Sequence, residues 1–101
     1  MIISIFPTEE EAQTIAKMLL NNRLVACANI IPKMKSLYWW KNKIQEDEEV
    51  FMMLKTKPEL ELEVINKIKE NHSYEIPAIF AISSTEIINE EYLNWLIEET
   101  R

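Results

Sequence analysis

The chain has 101 residues, 48% apolar and 28% charged, with a formal net charge of −6. A length of this order predicts a single domain over residues 1–101, burying roughly 65% of its unfolded surface without disulfides. The acidic balance excludes a nucleic-acid partner, whose phosphates demand a basic face, and the absence of glycine excludes the usual phosphate-cradling loops.

Residues 2–6, "IISIF", read as a first strand. Pro7-Thr8 opens a helix with Thr8 and Glu11 spaced as a capping box, and Ala12, Ile15, Ala16 and Leu19 form one buried stripe. Asn21-Asn22 ends it, and "LVACANII" at 24–31 forms a second strand that Pro32 interrupts. Pairing resumes as "KMKSLYWW", turns at "KNK" and returns as "IQEDEEVFMMLKT", a hairpin whose turn places Asn42 in the left-handed conformation. Pro58 suits the first turn of a second helix with Leu60, Val64, Ile65 and Ile68 inward. After "NHSYEIP" comes a fourth strand, "AIFAIS", and Asn89 caps a last helix carrying Tyr92, Leu93, Trp95 and Leu96. The order is α+β, a ferredoxin-like split βαβ (β-α-β-β-α-β plus a C-terminal helix) with a long hairpin between the second and third strands.

A one-sided antiparallel sheet should alternate apolar and polar residues. Residues 24–28, 50–54 and 76–82 instead carry apolar side chains at odd and even positions alike. Two long helices cover only one face, so a partner subunit is expected on the other. The hairpin's first arm also outreaches a compact domain, and an isolated two-stranded ribbon is marginal in water. Both arguments predict a homo-oligomer. The single cysteine, Cys27, points to a reducing cytoplasm, and neither a secretory leader nor an apolar run long enough to span a membrane is recognisable.

With these segments placed, the chain resembles the CutA divalent-cation tolerance family. The resemblance is carried by "NNRLVACANIIP", "SLYWWKNKIQEDEEV", "LKTKPEL", "HSYEIPAIF" and "NEEYLNWLIEET", and it runs through essentially the whole chain. It implies a ferredoxin-like subunit in a homotrimer, held through the hairpin with Tyr38, Trp39 and Trp40, a link to tolerance of copper and other divalent cations, and no catalytic activity. It also implies a likeness to the trimeric PII signalling proteins, which gives an alternative function: a small-molecule sensor binding at clefts between subunits. The chain departs from the family pattern at three places. Asn42 stands where glycine is usual, and Ser73 follows His72 where proline is usual. Phe6 and Asn71 occupy positions where some members carry a cysteine and a second histidine, so a copper site relying on those would keep only His72.

Candidate chemistry is sparse. His72, the only histidine, is a copper or zinc ligand with Glu75 or the Cys27 thiolate beside it, or else a helix-end residue bonding the last carbonyls. Metal, if bound, is held weakly, and no cofactor is required. Cys27 in a strand reads as a small buried hydrophobe rather than a nucleophile. Glu46, Asp47, Glu48 and Glu49 invite a hard-cation reading, but successive strand residues point to opposite faces. A two-residue turn sets Lys35 opposite Glu48, and a three-residue turn sets it opposite Glu49. Tyr38, Trp39 and Trp40 are either an aromatic cage or interface packing. No triad, ligand cluster or cofactor motif marks an enzyme.

Overall fold

The computed structural model describes residues 1–83 and 89–101. Its elements are β1 (Ile2–Phe6), α1 (Glu9–Asn21), β2 (Cys27–Trp40), β3 (Lys43–Lys55), α2 (Glu61–Asn71), β4 (Ile79–Ala81) and α3 (Glu90–Glu99). A 3-10 turn, Pro58–Leu60, leads into α2. The strands form one antiparallel sheet in the order β2-β3-β1-β4, so the α+β expectation holds.

The core follows from strand alternation. Ile2 and Phe6 of β1, with Val50, Met52 and Leu54 of β3, point to one face and are buried against α1 and α2. Ala12, Ile15, Ala16 and Leu19 supply the α1 stripe, and Val64 and Ile68 that of α2. The Thr8 side chain accepts from the Glu11 N–H at 3.2 Å, which forms half of the expected capping box. The other half is not made, because Glu11 Oε2 instead accepts from the Ser73 N–H at 3.0 Å, tying the start of α1 to the loop after α2. Asn89 caps α3, accepting from Glu91 N–H at 2.9 Å, and the α3 end is held by the Arg23–Glu99 and Arg101–Glu63 ion pairs, both 2.7 Å.

Leu24 and Val25, expected at the start of a strand, are buried in the connection instead, and β2 begins at Cys27. The predicted fourth strand shrinks to Ile79–Ala81. Pro32 does not end β2. The register instead shifts by one between Ile31 and Met34, with Lys33 at φ 59°, which is a β-bulge. Before the bulge Cys27, Asn29 and Ile31 share a face with Phe51 and Met53, away from the helices. Beyond it that face is carried by Met34, Ser36, Tyr38 and Trp40, opposite Glu49, Asp47, Gln45 and Lys43.

The turn is the two-residue kind, Lys41 at φ 50° and Asn42 at φ 63°, both left-handed as a type I′ turn requires. Lys35 consequently faces Glu48, while its ammonium pairs diagonally with Glu46 at 3.1 Å. The ribbon makes the molecule elongated, 46 × 25 × 21 Å. It leaves Trp39 72%, Leu37 64% and Ile44 64% exposed on one of its faces.

A lysine held in the left-handed region costs on the order of 1 kcal/mol. The double change Lys41→Asn, Asn42→Gly, which installs the pair a type I′ turn prefers, should raise stability by about 1 kcal/mol. The check is a higher urea midpoint at unchanged slope. Lys41→Val should lower the midpoint.

Candidate functional site

His72 ends α2 and folds back under β1. Its side chain is 0% exposed and stacks on Phe6 with ring centroids 4.5 Å apart and planes at 14°. Nδ1 accepts the Tyr74 N–H at 3.0 Å, so the ring proton sits on Nε2 and is donated to the Ile5 carbonyl at 2.6 Å. β4 pairs with β1 only as far as Ser4, and the imidazole continues the ladder one residue further with a side chain. Both ring nitrogens are therefore engaged, with Glu11 Oε2 also 3.6 Å from Nδ1.

Tyr74 carries this arrangement to β3. Its ring tilts against His72, centroids 5.1 Å apart, and its hydroxyl donates to Glu49 Oε2 at 2.7 Å. Glu49 is only 8% exposed, although it belongs to the acidic run of a projecting ribbon. Burial, reinforced by the Glu49 hydrogen bond and charge, holds the Tyr74 phenol well above the usual tyrosine range. A second phenol–carboxylate pair stands beside it. Tyr38 donates to Asp47 Oδ2, and that bond, more than desolvation, raises the Tyr38 pKa.

Tyr38, Tyr74 and Glu49 border a groove of about 560 Å³ on the sheet face away from the helices. Ser36, Tyr38, Trp40 and Glu49 come from the ribbon, and Tyr74, Glu75 and Ile76 come from the loop after α2. In the sequence Glu49 reads only as a strand acid facing solvent or Lys35. The two-residue turn sets it opposite Met34, on the other face from Lys35, and the bulge beyond Met34 lets that pairing join the rest of the sheet. Pro32 in a strand pattern was the signal available, since proline in a sheet marks an edge or a bulge.

The residues expected as metal donors are not brought together. Among the described residues no group of three or more His, Cys, Asp or Glu side chains is disposed to hold a metal ion. His72 has no free ring nitrogen, and Glu75 lies exposed at the groove. Cys27 opens β2 rather than lying in its middle, half-buried, with Sγ 3.5 Å from Asn29 Oδ1. Among the described residues His72, Cys27 and Glu75 thus do not form one donor group. Along the acidic run, Glu46 and Glu48 share one face and Asp47 and Glu49 the other, so the four acids do not converge.

The sequence pattern that defines the CutA1 divalent ion tolerance protein matches residues 1–99. The chain belongs to the CutA1 family. Divalent-cation tolerance protein CutA of Pyrococcus horikoshii is 46% identical over 101 residues, spanning 100% of this chain and 97% of that protein. The crystal structure of CutA1 from the same organism superposes with a TM-score of 0.92 at 47% identity, covering 100% of this chain and 99% of that one. That of the periplasmic divalent cation tolerance protein CutA from Archaeoglobus fulgidus gives 0.92 at 42% identity, over 97% and 94% of the two chains. Neither the CutA1 family description nor the names of these relatives designate a reaction. No described helix is long and apolar enough to cross a membrane.

Two outcomes test the site. His72→Ala empties a buried, stacked, doubly bonded position and should cost about 2–4 kcal/mol in urea unfolding. Tyr74 should ionise last in an ultraviolet pH titration, with Tyr38 also delayed by its bond to Asp47, and Tyr74→Phe should remove the last step. The folded chain keeps a proton there that an unfolded tyrosine releases near pH 10, so stability should fall as pH rises past about 10, and less so in Tyr74→Phe.

Proposed function

We propose that the chain serves divalent-cation tolerance as a non-catalytic, self-assembling protein of the cytoplasm whose contact with metal ions is weak. The match to the CutA1 family through residues 1–99 carries this reading. The donor geometry supports weak contact. Copper favours imidazole and thiolate ligands, and here the only imidazole is bonded at both nitrogens. Metal contact through His72 first requires the Tyr74 N–H to leave Nδ1. A resident cofactor has no part in this reading. A single unpaired thiol supports the cytoplasmic placement, whereas the Archaeoglobus relative is described as periplasmic.

The assembly is read as a homotrimer built through the ribbon, with the number taken from the family resemblance. Leu37, Trp39 and Ile44 expose a contiguous apolar surface on a two-stranded ribbon that would be marginal alone, and a second copy covering it removes both costs. A second reading, a ligand-binding module like the PII proteins, is favoured by the groove of about 560 Å³, within the range of small-molecule sites.

Calorimetric titration with copper and zinc should give weak binding that His72→Ala leaves unchanged. Tight binding abolished by His72→Ala would overturn the weak-contact reading. Light scattering should return three chains per particle, and Trp39→Ala with Leu37→Ala should shift particles toward smaller species. A folded parent monomer at micromolar concentration would refute assembly.

A further inference from the structure

His72 is a buried titratable group whose two hydrogen bonds fit only the neutral ring. Nε2–H donates to the Ile5 carbonyl, and Nδ1 accepts the Tyr74 N–H at 3.0 Å. A second ring proton must sit on Nδ1, where it would meet the Tyr74 N–H, donor against donor. Another acceptor stands nearby. Glu11 Oε2 lies 3.6 Å from Nδ1, too far for a hydrogen bond to the neutral ring but placed to pair with a charged one. The His72 side chain is 0% exposed within one chain, so its contacts are complete whether or not a second copy covers the open face.

From α1 the ring faces Glu11, with Glu10 beside it in the first turn. β1 brings only the neutral Ile5 carbonyl and the Phe6 ring. The loop after α2 brings Ser73, Tyr74 and the exposed Glu75, and β3 brings Glu49 behind the Tyr74 hydroxyl. α2, which His72 caps, ends in carbonyls at the negative pole of its dipole and carries exposed Lys69 in its last turn. An imidazolium here has a counter-ion that solvent can reach, because Glu11 lines a cleft of about 410 Å³ with Thr8, Thr14 and Asn71. We propose that His72 is a pH-sensitive latch that, on taking a proton at Nδ1, exchanges the Tyr74 N–H for the Glu11 carboxylate. The proton comes from solvent, and only hydrogen bonds change partners. Glu11 Oε2 also accepts the Ser73 N–H at 3.0 Å, so a carboxylate drawn to the ring loosens a second tie of the same loop. That loop sets the Tyr74 hydroxyl on Glu49 and carries Glu75 to the groove. Acidification on the helix side is thereby read out on the open face.

The single histidine makes the latch directly readable in the full chain, ¹⁵N-labelled and as purified. Nuclear magnetic resonance should show the Nε2–H tautomer at about pH 8 and a doubly protonated ring at about pH 5, the span of ordinary histidine chemistry. The Tyr74 amide resonance should move with the same midpoint, while far-ultraviolet circular dichroism stays constant. Glutamine at this position can offer one N–H and one carbonyl but cannot titrate, so His72→Gln should abolish the movement of the Tyr74 amide. Glu11→Gln, which removes the counter-ion, should shift the midpoint to lower pH. A ring that stays neutral at about pH 5, or one that titrates without moving Tyr74, would overturn the latch. The same holds if the Tyr74 movement persists in His72→Gln, or if dichroism is lost at the same midpoint, which is unfolding. An unchanged midpoint in Glu11→Gln would overturn the exchange to Glu11. If His72→Gln does not fold, the labelled parent decides alone, by whether the ring and Tyr74 midpoints coincide.

Discussion

The bulge at Pro32–Lys33 is the constraint on which the rest of the ribbon depends. Side chains along a strand alternate between faces, so one extra residue in β2 exchanges the two sets from there to the tip. Without it Lys35, Leu37 and Trp39 would stand over Glu49 and Asp47. With it Ser36, Tyr38 and Trp40 do, and the acids gain a phenol partner in place of a lysine. Proline suits the position because its missing N–H coincides with a break in the ladder. The polarity of the groove is set there, at the mouth of a ribbon that otherwise pairs regularly from Met34 to Glu49 and from Trp40 to Lys43.

A second link fixes the far wall. β4 ends one residue short of what β1 offers, and His72 takes the vacant Ile5 carbonyl. The same ring receives Tyr74 on its other nitrogen and rests on Phe6, so the loop that carries Tyr74 and Glu75 is tied to the sheet and to the core together. Glu11 joins from the first turn of α1 through the Ser73 N–H. Three pieces of chain, β1, the first turn of α1 and the loop after α2, thus converge on one imidazole. The only histidine is an alignment pin for the groove rather than a surface donor.

Much of this fold was legible in the residues. Helical spacing located the buried stripes of α1 and α2, and Thr8 and Asn89 marked the helix starts, because caps and stripes are local. The hairpin was legible for the same reason, since its turn lies within the sequence window that encodes it. The groove was not. Tyr74 and Glu49 lie 25 residues apart, and their meeting depends on where the bulge falls and on how His72 folds back. His72 stood out by rarity alone, and rarity does not say which way a ring points. Glu49 was hidden inside a run of four acids, three of them exposed, so no local signal set it apart.

The glycine count has a consequence outside the native contacts. Arg23, Lys33, Lys41 and Asn42 all adopt left-handed backbone that glycine would take without strain, and the chain has none. Each such residue raises the energy of the folded form by on the order of 1 kcal/mol. Each also leaves the denatured chain with fewer conformations to lose on folding, by about 0.4–1 kcal/mol relative to glycine. The two effects nearly cancel at any one turn. Elsewhere among the described residues, which carry no such strain, only the second effect remains. Excluding glycine therefore narrows the denatured ensemble everywhere while straining the native backbone at four of the described residues.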